Sequence, residues 1–498
     1  MTFTKARSFS RLLVFALCGW LAAAGWLATP GSAQAFTLLG PWEDWMTPEL
    51  SYRLPGDIGG PVNIHEGYRW NIPTISYGFE RSFLDYFGSN GVAAVEAAIA
   101  ILNALPPASA IDPDSYPLNI IKLNYEAEKQ SLADLKSYAL SLLLEHMGLA
   151  DPLRYIYTLR DITPVGPNLF FHTVQRNFDP NTGQPSAYIN DDWITYLIMA
   201  YEDGTGNTRH HTVNYPVDNV SENYDSIAAL RYSAGSYATS LSKDDVGGLR
   251  FLLSASRVRW ESLLPDVHSA SGSQGPLVRG AIRPGVEKLS FVAHPTGAVG
   301  GEFLPLTNRW TDVYFENGVK YQPVERITTR PDITFSARDF EFAYYQRTGT
   351  TNWANHADMN GNWGGAGPGV IQPPVNITFS SRGSVFLNVD HPLSEIGAYK
   401  EGWLASFQSV NDPIIRYPAV QPPSRPTEVS LELLVDGAAR TFQWLLFAPA
   451  YGKFQLQTST NLADWTTIGS VTNTGAKVST RYTGSANELQ RFFRIRSE

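Results

Sequence analysis

The sequence has a single cysteine, Cys18, which lies in an apolar segment near the N-terminus. A disulfide within the chain needs two cysteines, and thiolate zinc sites also draw on several. Both are therefore excluded as a means of stabilising this protein. A chain of 498 residues without them must rely on buried apolar cores, and this length is sufficient for two or three.

The first 35 residues contain no acidic residue. Three basic residues precede a nearly continuous apolar run over 12–28, which Pro30 and Gly31 interrupt. Residues 33–35 read Ala-Gln-Ala, the small-x-small pattern that signal peptidase recognises. The pattern predicts a signal peptide over 1–35, a mature N-terminus at Phe36 and a secreted bacterial protein (periplasmic, cell-surface or extracellular). A retained membrane anchor is the alternative, because the run approaches the length of a spanning helix.

Acidic residues outnumber basic ones after this segment. The formal net charge is -9, and removal of the three basic residues in the signal peptide would make it -12. A chain of this charge should not be attracted to nucleic acid or to anionic membrane surfaces. No later apolar stretch is long enough to span a bilayer. We therefore expect no nucleic-acid partner and no membrane insertion after cleavage, and a partner that is an extracellular protein or a glycan.

Changes in composition suggest a multidomain chain. A Ser/Gly-rich stretch over 269–276 and a Pro-rich stretch over 421–426 are typical linkers. The predicted parts are a signal peptide (1–35), an α/β domain (36–268), a β-rich middle domain without an assigned fold (277–420) and a C-terminal β-sandwich (424–498).

Within 36–268, spacing of apolar residues predicts alternating strands and helices. Three helices are predicted: one over 92–105 that begins at Ser89 or Asn90, one from Ser131 to Gly148, and one from Ser242. The second is apolar around most of its circumference, which predicts a buried helix. Aromatic and β-branched runs predict strands over 69–79, 168–176 and 193–201.

The C-terminal part contains six short β-like runs at even spacing. The run Phe454-Gln-Leu-Gln-Thr-Ser-x-Asn-Leu-x-x-Trp465, followed by Phe492-Phe-Arg-Ile495, resembles the fibronectin type III-like modules at the end of many secreted bacterial proteins. The resemblance implies a β-sandwich of about 75 residues.

The α/β part resembles the matrixin branch of the metzincin metallopeptidases. Tyr77-Gly-Phe-x-x-Ser-Phe83 and the helix after it are similar to the first strand and helix of that family. Leu241-Ser-x-Asp-Asp-Val-x-Gly-Leu249 is similar to the start of its last helix, and Met147-Gly-Leu-Ala-Asp-Pro152 to the glycine turn after its zinc helix. The resemblance implies a zincin-like fold.

The zinc motif of that family, His-Glu-x-x-His-x-x-Gly-x-x-His, is degenerate in this chain. Alignment on Gly148 places Ser141, Glu145 and Asp151 at the three histidines and Leu142 at the catalytic glutamate. Leucine cannot accept a proton from water. The scaffold is therefore expected to lack zinc, catalytic residues and a cofactor.

Two kinds of metal site remain open. A relocated zinc site would use His146, His172 and His210 as ligands. The alternative is that these histidines bind no metal, with one packed in the core and two exposed to solvent. Of the adjacent His210 and His211, only one could join such a site, because neighbouring strand residues point to opposite faces. Calcium could bind Asp179-x-Asn-x-Gly183 or Asp358-x-Asn-x-Asn362, although both also suit Asx turns.

These observations favour a secreted or cell-surface, non-enzymatic protein with a degenerate zincin-like scaffold and β modules for attachment or recognition. No nucleophile elbow, P-loop or dinucleotide fingerprint is present. Two alternatives stay open. One is an active secreted hydrolase, such as a metallopeptidase with displaced zinc ligands, in which Glu145 acts as a base rather than in a buried salt bridge. The other is glycan binding on exposed aromatic residues such as Trp353 and Trp363.

Overall fold

A computed structural model describes most of the chain from Ala35 onward. The described residues are 35–53, 57–202, 208–225, 234–272, 275–297, 302–338, 347–355, 367–380, 384–388, 399–409, 413–418, 430–436, 441–447, 453–459, 464–472, 478–483 and 492–497. The predicted signal peptide up to residue 34, the candidate calcium loop 358–362 and Trp363 lie outside them. Contacts divide the chain into two units, Met1–Ala419 and Val420–Glu498.

The described part of the chain is rich in β-strands, which form several sheets. The α-helices of the first unit are α1 (Arg81–Asn103), α2 (Tyr125–Lys129), α3 (Leu135–Glu145), α4 (Pro152–Tyr155) and α5 (Lys243–Leu253). Short 3-10 helices cover Pro48–Leu50, Ala108–Ala110 and Pro113–Ser115. No helix among the described residues is long and apolar enough to span a membrane.

The start of α5 was correctly predicted. The Ser242 hydroxyl accepts the backbone N–H of Asp245, and the Asp245 carboxylate in turn accepts the backbone N–H of Ser242 at 2.9 Å. This capping box satisfies N–H groups that a helix leaves free at its first turn. Because the signal lies within four consecutive residues, the sequence alone could locate it.

Helix α3 begins four residues later than we predicted from Ser131. Residues 132–134 form a strand instead, which pairs in parallel with residues 403–405. Asp134 is the N-cap, since its carboxylate accepts the Ser137 backbone N–H at 2.9 Å. The predicted burial is confirmed, because all residues from 135 to 144 are buried. Gly148 follows the helix with a φ of 97°, a conformation that suits glycine.

Helix α1 is longer than its predicted range of 92–105. Gly88 interrupts it with a φ of 60° and a ψ of -162°, so that one helical segment precedes the kink and another follows. The second segment begins next to Ser89, where the sequence predicted a helix start. The apolar residues Phe83, Phe87, Val95 and Ile99 are buried in the main core.

The strands of the first unit are short and numerous. From the N-terminus to α5 they are β1 (Phe36–Gly40), β2 (Gly60–Val62), β3 (Tyr68–Arg69), β4 (Thr74–Phe79), β5 (Ile121–Leu123), β6 (Leu132–Asp134), β7 (Leu149–Ala150), β8 (Tyr157–Val165), β9 (Asn168–Gln175), β10 (Asn177–Phe178), β11 (Tyr188–Ile189), β12 (Asp192–Glu202), β13 (Thr208–Pro216) and β14 (Ser236–Ala238). After α5 they are β15 (Arg259–Ser262), β16 (Val267–Ser269), β17 (Gly280–Arg283), β18 (Ser290–Ala293), β19 (Leu306–Phe315), β20 (Val319–Thr328), β21 (Ile333–Arg338), β22 (Arg347–Asn355), β23 (Gly369–Ser380), β24 (Ser384–Asn388), β25 (Tyr399–Ser406) and β26 (Ile415–Arg416).

The central sheet joins two regions that the sequence assigned to separate domains. Its order is β18-β4-β21-β23-β22, and β3 also pairs with β23. Strand β4 from the predicted α/β domain lies between β18 and β21 from the predicted middle domain, and both pairings are parallel. Residues 36–268 and 277–419 therefore lie in one compact unit.

A second sheet, of order β15-β17-β19-β20-β16, also lies in this unit. The predicted strands 168–176 and 193–201 are present as β9 and β12 but do not pair with each other. Strand β9 pairs with β8, and β12 pairs with β11 and β13.

Strand β1 begins at the predicted processing site. Phe36 pairs with Phe178 of β10, and the backbone N–H of Ala35 donates to Asp244 Oδ1 at 3.0 Å. Cleavage after Ala35 would leave β1 complete.

We expect material recovered from the growth medium or periplasm to begin at Phe36, as measured by intact mass. Ala35→Arg, which replaces the small residue before the cleavage site, should prevent cleavage and so retain the signal peptide. A wild-type protein that also retains residues 1–35 would contradict the prediction.

The second unit consists of two three-stranded antiparallel sheets among its described residues. Its strands are β27 (Ser430–Asp436), β28 (Thr441–Phe447), β29 (Lys453–Ser459), β30 (Thr466–Thr472), β31 (Val478–Thr483) and β32 (Phe492–Ser497). One sheet has the order β27-β28-β31 and the other β30-β29-β32. All six predicted strands are present, displaced by at most two residues at either end.

Candidate functional site

The positions that would carry zinc chemistry lie in the core of the first unit. Ser141 and Leu142 on α3 are buried, with at most 1 % of their surface exposed. His146 directly after α3 is fully buried, and its backbone oxygen accepts the indole N–H of Trp70 at 2.8 Å. A catalytic zinc needs a coordination position that substrate can reach. These side chains are packed into the protein and do not form the wall of an open cleft.

The two carboxylates aligned with the zinc motif differ in position. Glu145 ends α3 and is half-buried. The Asp151 carboxylate caps α4, because its Oδ1 accepts the Arg154 backbone N–H at 3.0 Å. The Asp151 oxygen thus stabilises a helix start, which accounts for an acidic residue at this position.

The candidate histidines are spread over the first unit. On β9, the Nε2 atom of His172 lies 3.1 Å from the hydroxyl of Thr163. On β13, the His210 ring packs 5.2 Å from the Phe171 ring, and burial lowers the pKa of the adjacent His211. Within the described residues, no three His, Cys, Asp or Glu side chains are grouped as metal ligands.

The candidate calcium ligand Asp179 and the candidate glycan-binding residue Trp353 both make contacts within the protein. Oδ1 of Asp179 accepts the backbone N–H groups of Asn181 and Thr182, each at 2.8 Å, which is an Asx turn. The indole N–H of Trp353 donates to the Ile58 carbonyl at 3.3 Å, and its ring meets Tyr68 edge-on at 5.1 Å. Trp353 is therefore partly buried against other aromatic residues.

We expect the purified protein to hold no stoichiometric zinc and to leave casein intact. Ser141 and Leu142 supply neither an imidazole ligand nor a base, and both are buried. Elemental analysis of protein prepared without chelators measures the first expectation, and a casein digestion assay measures the second. One tightly bound zinc per chain, or digestion that a chelator abolishes, would contradict this prediction.

A pocket with arginine side chains lies elsewhere on the first unit. It encloses about 230 Å³ between the turn before β3, the end of α5, the segment before β15 and the start of β23. Its lining residues are Ile64, His65, Gly67, Arg69, Phe251, Leu252, Arg257, Val258, Arg259 and Pro368. Three guanidinium groups thus meet an otherwise largely apolar wall. We call this the arginine pocket.

Arg69 forms the floor of the arginine pocket and is almost completely buried. Its Nε donates to Glu261 Oε1 at 2.8 Å. Its terminal nitrogens donate to three backbone carbonyls, those of Leu252, Arg257 and Arg283. The side chain therefore links β3, the end of α5 and the second sheet, and its donors are engaged within the protein.

Arg259 is held in the same way. Its Nε donates to Glu261 Oε1 at 2.7 Å, and its terminal nitrogens donate to the carbonyls of Gly67 and Gly369. Burial, with the nearby charge of Arg69, lowers the pKa of Arg259 to about 10. Charges of the same sign in a poorly solvated place repel each other and favour the neutral form.

Arg257 differs from the other two. Its guanidinium lies 3.7 Å from the centre of the Phe251 ring, a cation–π contact. Among the described residues, no carboxylate forms an ion pair with it. Burial lowers the pKa of Arg257 as well. Within the part of the chain that the structure describes, Arg257 is thus the guanidinium of the pocket that pairs with no carboxylate.

The sequence carried only part of this arrangement. Arg257, Arg259 and Glu261 alternate with other residues, and the period of two places their side chains on one side of an extended chain. That signal could have indicated a charged cluster. Arg69 lies nearly two hundred residues earlier, and nothing in its local sequence predicts the contact.

No family model, no curated protein and no solved structure matches this chain.

Proposed function

We propose that this chain is an exported, non-enzymatic binding protein with a degenerate zincin-like scaffold, and that the arginine pocket holds its ligand. The second unit, with its resemblance to fibronectin type III-like modules, would serve attachment or recognition. The observation that carries the proposal is a pocket of about 230 Å³ lined by both apolar and cationic side chains.

Ligand pockets are usually concave, mostly apolar and equipped with a few polar groups that orient the ligand. The arginine pocket has this composition, since Ile64, Phe251 and Leu252 supply apolar surface beside the guanidinium groups. Its volume suits a small molecule or the terminal group of a polymer. It lies outside α3, so binding there does not involve the degenerate zinc motif.

The position of α3 supports a non-enzymatic role. Of the residues at the zinc-ligand positions, Ser141 is in the core and Asp151 caps a helix, and Leu142 at the position of the catalytic glutamate is also in the core. Restoring a single histidine there would not create an open coordination site.

The proposal can be tested by thermal melting of the full chain against a set of sugars, amino acids, organic acids and inorganic ions. Compounds that bind the folded protein raise the melting temperature. Val258→Trp places a large side chain in the pocket wall and should abolish the shift. Val319→Trp is the matched control, because Val319 is also exposed and lies on β20 away from the pocket.

A compound that stabilises wild type and Val319→Trp but not Val258→Trp supports the proposal. The proposal fails if no compound stabilises wild type, or if the stabilised set is unchanged in Val258→Trp.

A further inference from the structure

We infer that the ligand of the arginine pocket is a small organic anion whose charged group binds Arg257 while its apolar body rests on the pocket wall. This inference rests on the proposed function, and it names the class of ligand.

The charges of the pocket do not balance. Three guanidinium groups, those of Arg69, Arg257 and Arg259, line it, and among the described residues Glu261 is the carboxylate that pairs with them, through Arg69 and Arg259. Glu261 is fully buried beneath the pocket and shares Oε1 between Arg69 and Arg259. Buried charge is expensive unless it is paired. An anion bound in the pocket would offset the remaining positive charge.

The donors already in use determine where that anion would bind. Arg69 and Arg259 direct their nitrogens to Glu261 and to main-chain carbonyls, which fixes both side chains. The Arg257 guanidinium lies over the Phe251 ring, and among the described residues none of its N–H groups donates to a protein acceptor, which leaves those groups for a ligand. A carboxylate or another oxyanion accepts two parallel N–H groups from such an edge.

The remaining wall indicates the body of the ligand. Ile64, Phe251, Val258 and Pro368 border the pocket with apolar surface. An inorganic ion would leave this surface uncovered, whereas an anion with an apolar or aromatic body would cover it and gain by removing it from water. The pocket volume excludes a folded macromolecule and a nucleic-acid duplex. A compact organic anion therefore fits both the charge and the shape.

The experiment titrates the full chain with benzoate, benzamide, phosphate and sulfate at constant ionic strength, using calorimetry and two-dimensional NMR. Benzamide has nearly the shape of benzoate without its charge. We expect benzoate to bind more tightly than benzamide and than either inorganic anion. Arg257→Gln should weaken benzoate binding about tenfold or more, the usual effect of losing a charge-assisted contact.

Arg81→Gln is the matched control, because Arg81 is highly exposed on α1 and pairs with the exposed Asp85. It should leave benzoate affinity unchanged. Arg257→Lys keeps the charge without the two parallel donors and should give an intermediate affinity. The melting temperature of each variant reports whether it is folded.

The results separate the two proposals. If benzoate and benzamide bound equally tightly, the inference that the ligand is an anion would be wrong, although the pocket would still be a ligand site. Benzoate binding that Arg257→Gln leaves unchanged would overturn the role of Arg257. If phosphate or sulfate bound as tightly as benzoate, the inference that the ligand has an apolar organic body would be wrong. Binding of none of the four, together with no stabilising compound in the melting assay, would overturn the proposed function as well.

Discussion

Replacing Arg69 with methionine is expected to lower the free energy of unfolding of the first unit by about 3–5 kcal/mol. The substitution removes the ion pair with Glu261 and leaves the carbonyls of Leu252, Arg257 and Arg283 without their donor. Glu261 would remain fully buried with Arg259 as its one cation. Loss of one partner from a buried charge pair is strongly destabilising because the other charge stays in a poorly solvated place.

Urea unfolding followed by tryptophan fluorescence measures this effect. The control is Arg81→Met, which removes a similar side chain from an exposed i,i+4 pair on α1 and should change stability by less than about 1 kcal/mol. If both variants unfold at the same urea concentration as wild type, the buried charge cluster does not stabilise the fold.

A fragment covering residues 36–268 should show no cooperative unfolding transition, whereas 36–419 should unfold cooperatively. The shorter fragment contains β4 but neither of the strands that flank it, β18 and β21. It also lacks β23, with which β3 pairs. Without these neighbours the backbone groups at both edges of β4 lose their partners, and the apolar face of α1 loses part of its core.

Thermal melts by circular dichroism distinguish the two fragments. A cooperative transition in 36–268, with a melting temperature near that of 36–419, would support the domain boundary near residue 270 that the sequence predicts. Fragment 424–498 offers a comparison, because its six strands pair only with one another among the described residues.

Local signals in the sequence located several elements. The start of α5 follows from Ser242 and Asp245, which form their capping box within one turn. The six C-terminal strands follow from alternating apolar residues between turn-forming ones. The burial of α3 follows from apolar residues around most of its circumference. In each case the residues that carry the signal are neighbours along the chain.

Long-range contacts explain the errors. Residues 132–134 suit a helix start, yet they pair with residues 403–405 and become strand β6. Strand β4 was assigned to a domain that ended near 268, but its neighbours lie at 290–293 and 333–335. Partners so distant along the chain leave no trace in the local pattern. The local sequence therefore does not specify them.

The candidate site was predicted least well, for the same reason. From motif spacing, the sequence indicated the α3 motif and the histidines as candidate site residues. The arginine pocket draws on residues from 64–69, 251–259 and 368. Arg69 and Glu261 are separated by 192 positions, and only the fold shows that they meet.

The position of β4 within the central sheet also bears on the order of folding. During synthesis, β4 and α1 emerge long before β18 and β21 exist, so both edges of β4 stay unpaired in that interval. Contacts between segments so far apart in sequence carry a large loop-closure entropy and slow the folding of single domains. The first unit should therefore fold late, after most of its length has been made. An early stop in translation would then release a product with unpaired strand edges, which favour aggregation.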